Sequence, residues 1–262
     1  MKWEWVTWIL VILAISVLLR LIKKKYVNPG ARIKKNGFQV LSCFTENETQ
    51  YLLQNFDDKD AVKSYIHNNQ NVLRQVQEIL GPSYVFQDYV FLIEKSRFHT
   101  CHRDVNSKYF NEKQKHPSYT IIFFLEPMKR CLDVIDSSHT TRFGVFLTDE
   151  TESIPCVPGD AILFDASLIH AGAKNDKPNN KRIQMKLTHV DDVQTLDFFQ
   201  DYNKKLSEDN NNPEVLNDIQ KHMSCQFTTV TDIVKSSAPK SVENLFGSLF
   251  YGNSNFYNLK TV

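Results

Sequence analysis

With 262 residues, 42% hydrophobic and 23% charged, the chain has the composition of a globular protein with room for one sizeable domain plus extensions. A formal net charge of +1, without a helix-turn-helix, zinc-finger or RNA-motif pattern, gives no nucleic-acid signal, and no nucleic-acid partner is expected. Five scattered cysteines (Cys43, Cys101, Cys131, Cys156, Cys225) include no Cys-x-x-Cys pair; they do not read as a disulfide framework and point to a reducing compartment.

Between Trp5 and Leu19 only Thr7 and Ser16 interrupt an apolar run, and Arg20 then precedes Leu21-Ile22. As a helix, Trp5 to Ile22 would reach about 27 Å, nearly the thickness of a bilayer core. Trp3, Trp5 and Trp8 mark one border and Tyr26 the other, where an aromatic belt would lie. The segment before the run is barely basic and no small-x-small site follows, which argues against a cleaved signal peptide. The sequence thus predicts a transmembrane anchor over residues 1–26. Arg20, Lys23, Lys24, Lys25, Arg32, Lys34 and Lys35 follow the span and only Lys2 precedes it, so the positive-inside rule places the remainder in the cytosol. One glycosylation sequon, Asn47-Glu48-Thr49, points the other way.

Residues 27–45 read as a basic juxtamembrane linker containing Pro29-Gly30. A helical period runs over 46–80, through Tyr51-Leu52-Leu53, Val62, Tyr65, Ile66, Val72, Val76, Ile79 and Leu80, and Gly81-Pro82 stops it. Short apolar runs follow at Tyr89–Ile93, Tyr119–Leu125, Val145–Leu147, Ile162–Phe164 and Ile183–Leu187, with turn signals such as Pro158-Gly159-Asp160 between them. Helices followed by many short strands predict a mainly β fold with supporting helices, a double-stranded β-helix (jelly roll) over residues 46–190. Residues 191–262 read as a C-terminal extension, helical through Phe198-Phe199 and Tyr202 to Leu206, then loosely ordered. No P-loop, G-x-G-x-x-G or G-x-S-x-G occurs, so nucleotide-binding and serine-hydrolase readings have no foothold.

The chemistry concentrates in His102-Arg103-Asp104 and in His170 within Ser167-Leu168-Ile169-His170-Ala171-Gly172. Two histidines and one carboxylate are the ligand set of the facial triad that holds non-haem Fe(II) with open positions. On a strand, residues i and i+2 share a face, so His102 and Asp104 can grip one ion while Arg103 points away. Arg182 follows His170 by twelve residues, where a dicarboxylate co-substrate would need a cation. In Arg182-Ile183-Gln184-Met185-Lys186-Leu187 the alternation puts Arg182, Gln184 and Lys186 on one side; Lys186 is a weaker candidate for the same role and reads rather as solvated. Tyr119 or Thr120, on the strand after the metal residues, would touch the co-substrate. A zinc cluster of His99, Cys101 and His102 is disfavoured, because His99 and Cys101 fall on the opposite strand face and no second pair completes it. His116, His139 and His189 read as structural or surface residues.

These motifs resemble the 2-oxoglutarate and Fe(II)-dependent dioxygenases, and within them the phytanoyl-CoA dioxygenase-like branch. The resemblance spans roughly residues 80–190 and rests on four stretches: His102-Arg103-Asp104; Leu132–His139, similar to that branch's L-x-V-x-P-G-S-H segment; Pro158–Phe164; and His170–Asn175 followed by Arg182. It departs at Ile135-Asp136-Ser137, where the branch has Pro-Gly, and at Gly172, where the family often has a hydroxyl residue. The resemblance implies that His102, Asp104 and His170 hold Fe(II), that Arg182 binds the distal carboxylate of 2-oxoglutarate, and that O2 takes a remaining position. A substrate, whether lipid or acyl group, protein side chain or small metabolite, would be hydroxylated, with succinate and CO2 as co-products. Two other readings remain open at this point: a non-catalytic membrane-tethered jelly-roll domain with a relic metal site, and a cupin-like metalloenzyme that does not use 2-oxoglutarate.

Overall fold

The computed structural model describes residues 31–95, 100–111, 113–141, 151–173, 179–196, 204–206 and 214–226, together with Trp8, Val11 and Ile15. The predicted anchor and the end of the chain therefore lie largely outside the described residues, and the predicted strand Val145–Leu147 lies wholly outside them. Among the described residues no helix is long and apolar enough to cross a membrane.

Five helices are described: α1 (Ile33–Asn36), α2 (Glu46–Gln54), α3 (Lys59–Asn68), α4 (Gln70–Leu80) and α5 (Glu214–Gln226). The helical period over 46–80 is divided into α2, α3 and α4 by polar caps. Thr45 and Glu48 form a reciprocal capping box at α2, and the side chains of Asp58 and Asn69 accept the first N–H groups of α3 and α4. Gly81 ends α4, as Gly-Pro predicts.

Ten strands are found among the described residues: β1 (Phe38–Ser42), β2 (Tyr84–Phe86), β3 (Phe91–Lys95), β4 (Tyr119–Phe124), β5 (Met128–Val134), β6 (Glu152–Cys156), β7 (Asp160–Asp165), β8 (His170–Gly172), β9 (Asn179–His189) and β10 (Lys204–Leu206). The larger sheet runs β1-β7-β4-β9-β3-β10, with β2 also on β9; the smaller runs β6-β5-β8. Strand parity sorts the core. Ile121 and Phe123 of β4, with Ile183, Met185 and Leu187 of β9, face the helices and meet Leu52, Val62, Ile66, Val72 and Val76. Ile122 and Phe124, with Ile162 and Phe164 of β7, face the smaller sheet and meet Leu132, Val134 and Ile154. A jelly roll of two facing sheets, with helices covering one outer face, is the expected architecture.

The sheets extend the domain beyond 46–190 at both ends. β1 lies within the stretch read as linker and pairs with β7 from Phe38–Phe164 to Ser42–Asp160. β10, within a stretch read as helical, pairs parallel with β3 instead, from Lys204–Phe91 to Leu206–Ile93. A sheet edge with unpaired N–H and C=O groups outweighs local helical propensity over three residues. The cysteines also depart from expectation. Cys101 and Cys225 form a disulfide across 124 residues of sequence, while Cys43, Cys131 and Cys156 are free and buried.

Candidate metal centre

His102, Asp104 and His170 converge at one end of the gap between the sheets. His102 and His170 form an antiparallel bridge, His102 N–H to the His170 carbonyl at 2.9 Å and the reverse at 3.0 Å. The Asp104 N–H donates to the Ala166 carbonyl at 2.9 Å. Thus the His-x-Asp segment is held by the residues around His170 rather than by a long strand of its own. Arg103 points away from the site, as expected, and secures the same joint: its Nε donates to the Ser167 carbonyl at 3.0 Å and a terminal nitrogen to the Thr141 carbonyl at 2.7 Å.

Each imidazole has its tautomer fixed. His102 Nδ1 lies 2.8 Å from the Thr100 carbonyl and His170 Nδ1 2.9 Å from the Leu168 carbonyl. A carbonyl only accepts, so both Nδ1 atoms carry a proton, and Nε2 is the nitrogen of each ring that could ligate a metal. Asp104 Oδ1 lies 3.9 Å from His102 Nε2 and 3.7 Å from His170 Nε2. Both spans are shorter than the roughly 4.2 Å that two metal–ligand bonds of about 2.1 Å can bridge.

The other Asp104 oxygen is occupied. Oδ2 accepts from Thr120 Oγ1 at 2.5 Å and from Lys186 Nζ at 2.7 Å, and Lys186 also donates to Thr120 Oγ1 at 2.8 Å. This leaves Oδ1 to face the histidines. Burial alone would raise the Asp104 carboxyl, but Lys186, His170 and His102 together hold it well below the usual carboxylate range. Burial pulls the Lys186 ammonium down, and Asp104 partly offsets that. Lys186 is therefore not solvated as expected: it is 3% exposed and is a support for the metal carboxylate that sequence reasoning undervalued. Its shared parity with Arg182 was the available signal.

Thr120 and Tyr119 separate cleanly. Thr120 stands opposite Lys186 in the β4–β9 register and reaches Asp104. Tyr119 projects to the other face of the sheet, where its ring meets Tyr84 edge-on at 5.3 Å. His99 lies outside the described residues, and Cys101 is committed to Cys225, so the alternative zinc cluster has no sulfur donor.

Arg182 is buried on the inner face of β9, opposite Phe124 and on the same side as Lys186. Among the described residues no carboxylate pairs with it. One terminal nitrogen donates to the Asn180 side-chain oxygen and, at 3.4 and 3.5 Å, to the Asn180 and Lys95 carbonyls. Nε and the second terminal nitrogen make no protein hydrogen bond among the described residues, so the edge that pairs with a carboxylate in a fork is unused. Burial pulls the guanidinium pKa down to about 10, which keeps it charged at neutral pH.

The turn resembling L-x-V-x-P-G-S-H supports His170 directly. Ser138 Oγ accepts the Ile169 N–H at 2.9 Å, one residue before the ligand. Ser137, where the branch has glycine, has φ of 61°.

Neither protein-family profiles nor curated protein sequences match this chain. Solved structures do. The chain is similar to the non-haem α-ketoglutarate-dependent epimerase SnoN from nogalamycin biosynthesis, with a TM-score of 0.50 and 13% identity over 62% of this chain and 82% of that one. Others include iron-bound HygX from Streptomyces hygroscopicus (TM-score 0.49, 12% identity, 60% and 84% covered). A third is EvdO2 from Micromonospora carbonacea var. aurantiaca complexed with 2-oxoglutarate (TM-score 0.45, 14% identity, 60% and 88% covered). The likeness to SnoN is one of fold.

Proposed function

We propose that this chain is an Fe(II)- and 2-oxoglutarate-dependent dioxygenase of the phytanoyl-CoA dioxygenase-like branch, anchored to a membrane by residues 5–22, with the enzymatic domain in the cytosol. The observation that carries the reading is the pairing of two features on one inner face. A His-Asp-His set has its candidate ligand atoms within reach of one ion, and a buried Arg182 has, among the described residues, an unused fork and no acidic partner. A buried guanidinium without a counter-ion is costly, and a carboxylate ligand relieves that cost.

In this reading His102, Asp104 and His170 hold iron through Nε2, Oδ1 and Nε2. Thr120 and Lys186 hold Asp104 by its second oxygen, so that it ligates through one atom. Arg182 Cα lies roughly 13 Å along β9 from Lys186 Cα, four residues at about 3.3 Å each. Arg182 receives the distal carboxylate of 2-oxoglutarate between itself and the metal residues. When bound, iron and 2-oxoglutarate supply the oxidising chemistry with O2, yielding succinate and CO2; the protein supplies orientation and a shielded site. The Ser137 backbone supports the branch assignment, because the left-handed conformation falls where that branch has glycine. The anchor tilts the substrate towards a lipid or a membrane-associated protein.

The test uses the full chain in detergent with Fe(II), 2-oxoglutarate and O2. Succinate should form even without the true substrate. His102→Ala, Asp104→Ala and His170→Ala should each lose stoichiometric iron while circular dichroism stays unchanged. Full iron content in two of these folded variants would overturn the triad. Absence of 2-oxoglutarate turnover in an iron-loaded chain would favour the binding-domain reading.

A further inference from the structure

We propose that His116, His189 and Asp191 form a second divalent-cation site, of the zinc-binding class, at the end of β9. His116 Nε2 lies 3.4 Å from Asp191 Oδ2, and His189 Nδ1 lies 3.7 Å from the same oxygen. All three ligand atoms fall within 4.8 Å of one another. The two spans to Asp191 are shorter than the roughly 4.2 Å that two metal–ligand bonds of about 2.1 Å can bridge, and two imidazoles plus a carboxylate form a donor set that zinc accepts. His116 and Asp191 are 40% and 50% exposed at the side chain, which leaves room for water as a fourth ligand.

The surrounding backbone fixes this arrangement before any ion arrives. Val190–Asp192 forms a 3-10 turn that starts from His189. The buried Asp192 carboxylate accepts the N–H groups of Lys115 and His116, each at 2.8 Å, and so pins the loop carrying His116 to the turn carrying Asp191. His189 sits opposite Tyr84 in the β2–β9 register, and its ring meets the Tyr84 ring edge-on at 5.4 Å. The two imidazoles stack with centroids 3.7 Å apart and planes 25° from parallel. An Asp–His ion pair would need one imidazole. A cation shared between nitrogens of both rings uses the second. The Asp191 N–H donates to His189 Nδ1 at 3.2 Å and caps the turn, so a metal at this nitrogen would have to replace that hydrogen bond.

The site also lies beside the candidate metal centre in sequence. His116 precedes Thr120 by four residues and His189 follows Lys186 by three, and Thr120 and Lys186 are the two groups that hold Asp104. A cation here would tie together the ends of β4 and β9 that supply them. The inference does not rest on the proposed activity, since the two sites share no residue.

The experiment is equilibrium dialysis of the full chain against Zn2+, with bound metal counted by elemental analysis and thermal midpoints recorded in parallel. The intact chain should bind two equivalents. His116→Ala and Asp191→Ala should each lose one, and His170→Ala should lose the other. The Zn2+-induced rise in Tm should persist in His170→Ala and shrink in the double variant His116→Ala/His170→Ala. Two equivalents retained in both His116→Ala and Asp191→Ala would overturn the proposal. So would a single equivalent in the intact chain that His170→Ala removes. A single equivalent lost in His116→Ala but kept in His170→Ala would uphold this site and defeat the triad instead.

Discussion

Ser137 adopts a conformation that costs an L-residue roughly 1–2 kcal/mol, and the turn it closes sets the residue before His170. Glycine avoids that cost but loses more entropy on folding, and the exposed Ser137 Oγ bond to the Lys35 carbonyl would go too. The net expectation for Ser137→Gly is a stabilisation of about 0.5–1 kcal/mol, while Ser137→Val should destabilise by more, since a β-branched residue tolerates positive φ poorly. Urea midpoints at constant m-value check both signs. Arg182 carries the opposite balance, structural cost against binding gain. Arg182→Ala should weaken 2-oxoglutarate binding by about 3–5 kcal/mol, a hundred-fold or more in Kd, and leave iron content unchanged. Arg182→Lys should restore only part of it, because the planar fork is lost. Arg182→Met should abolish co-substrate binding yet raise the stability of the ligand-free chain, because it removes a buried charge that has no acidic partner among the described residues. Calorimetry of the two ligands and a melt of the apo chain separate these effects; a destabilised Met variant would mean that the Asn180 and Lys95 contacts are structural.

At the scale of elements, α5 is fastened to the segment just before His102 and to β5, the strand that pairs with His170 of β8. Cys225 is bonded to Cys101, Ser224 Oγ accepts the Cys101 N–H at 2.8 Å, and Lys221 Nζ pairs with Asp133 of β5. Asp133 is fully buried and also accepts from Arg130 at 2.9 Å and from Ser153 at 2.6 Å. Burial would raise its carboxyl, but Lys221 and Arg130 outweigh that and lower it. A carboxyl lowered on folding contributes stability above its unfolded pKa of about 3.9, and that contribution is lost as pH falls through the folded value. Stability should therefore hold from pH 7 to about 5 and decline below 4, with a shallower decline in Asp133→Asn, which should itself cost about 3–5 kcal/mol at pH 7. Urea titrations at each pH test this; equal acid slopes in both proteins would remove Asp133 from the account. Features with a local period were legible in the sequence. Strand alternation placed Arg182 and Lys186 together, and the spacing of His102 and Asp104 put them on one side. Pairings at long range carried no local mark. Cys101 meets Cys225 and β10 meets β3 only after the sheets exist, so neither the disulfide nor the strand at Lys204–Leu206 could be read from periodicity. The burial of Lys186 was missed for a different reason, because its partner Asp104 lies 82 residues away.

The whole molecule joins a two-sheet domain to an apolar N-terminal run, and of that run Trp8, Val11 and Ile15 are helical and exposed, at 64%, 39% and 50%. Three large apolar side chains left to water at helical spacing need a covering medium, and the run from Trp5 to Ile22 has the length and the flanking Trp residues for a bilayer. Alkaline carbonate extraction should leave the full chain in the membrane pellet and release a chain that begins at Tyr26. Release of both would end the anchor proposal. Orientation is a separate matter, and two observations oppose each other. The basic cluster from Arg20 to Lys35 favours a cytosolic domain, whereas the Cys101–Cys225 disulfide is of a kind that persists in oxidising compartments. Both its sulfur-bearing residues are fully buried, however, which restricts the access that thiol exchange requires and lets the bond outlast a reducing surround once formed. The charge bias therefore leads: protease added outside sealed microsomes should digest the domain. Asn47 supplies the opposing readout, since it is exposed in the first turn of α2 and lies in a glycosylation sequon. A mass shift removed by glycosidase and abolished in Asn47→Gln would place the domain in the lumen and reverse the orientation while leaving the anchor intact.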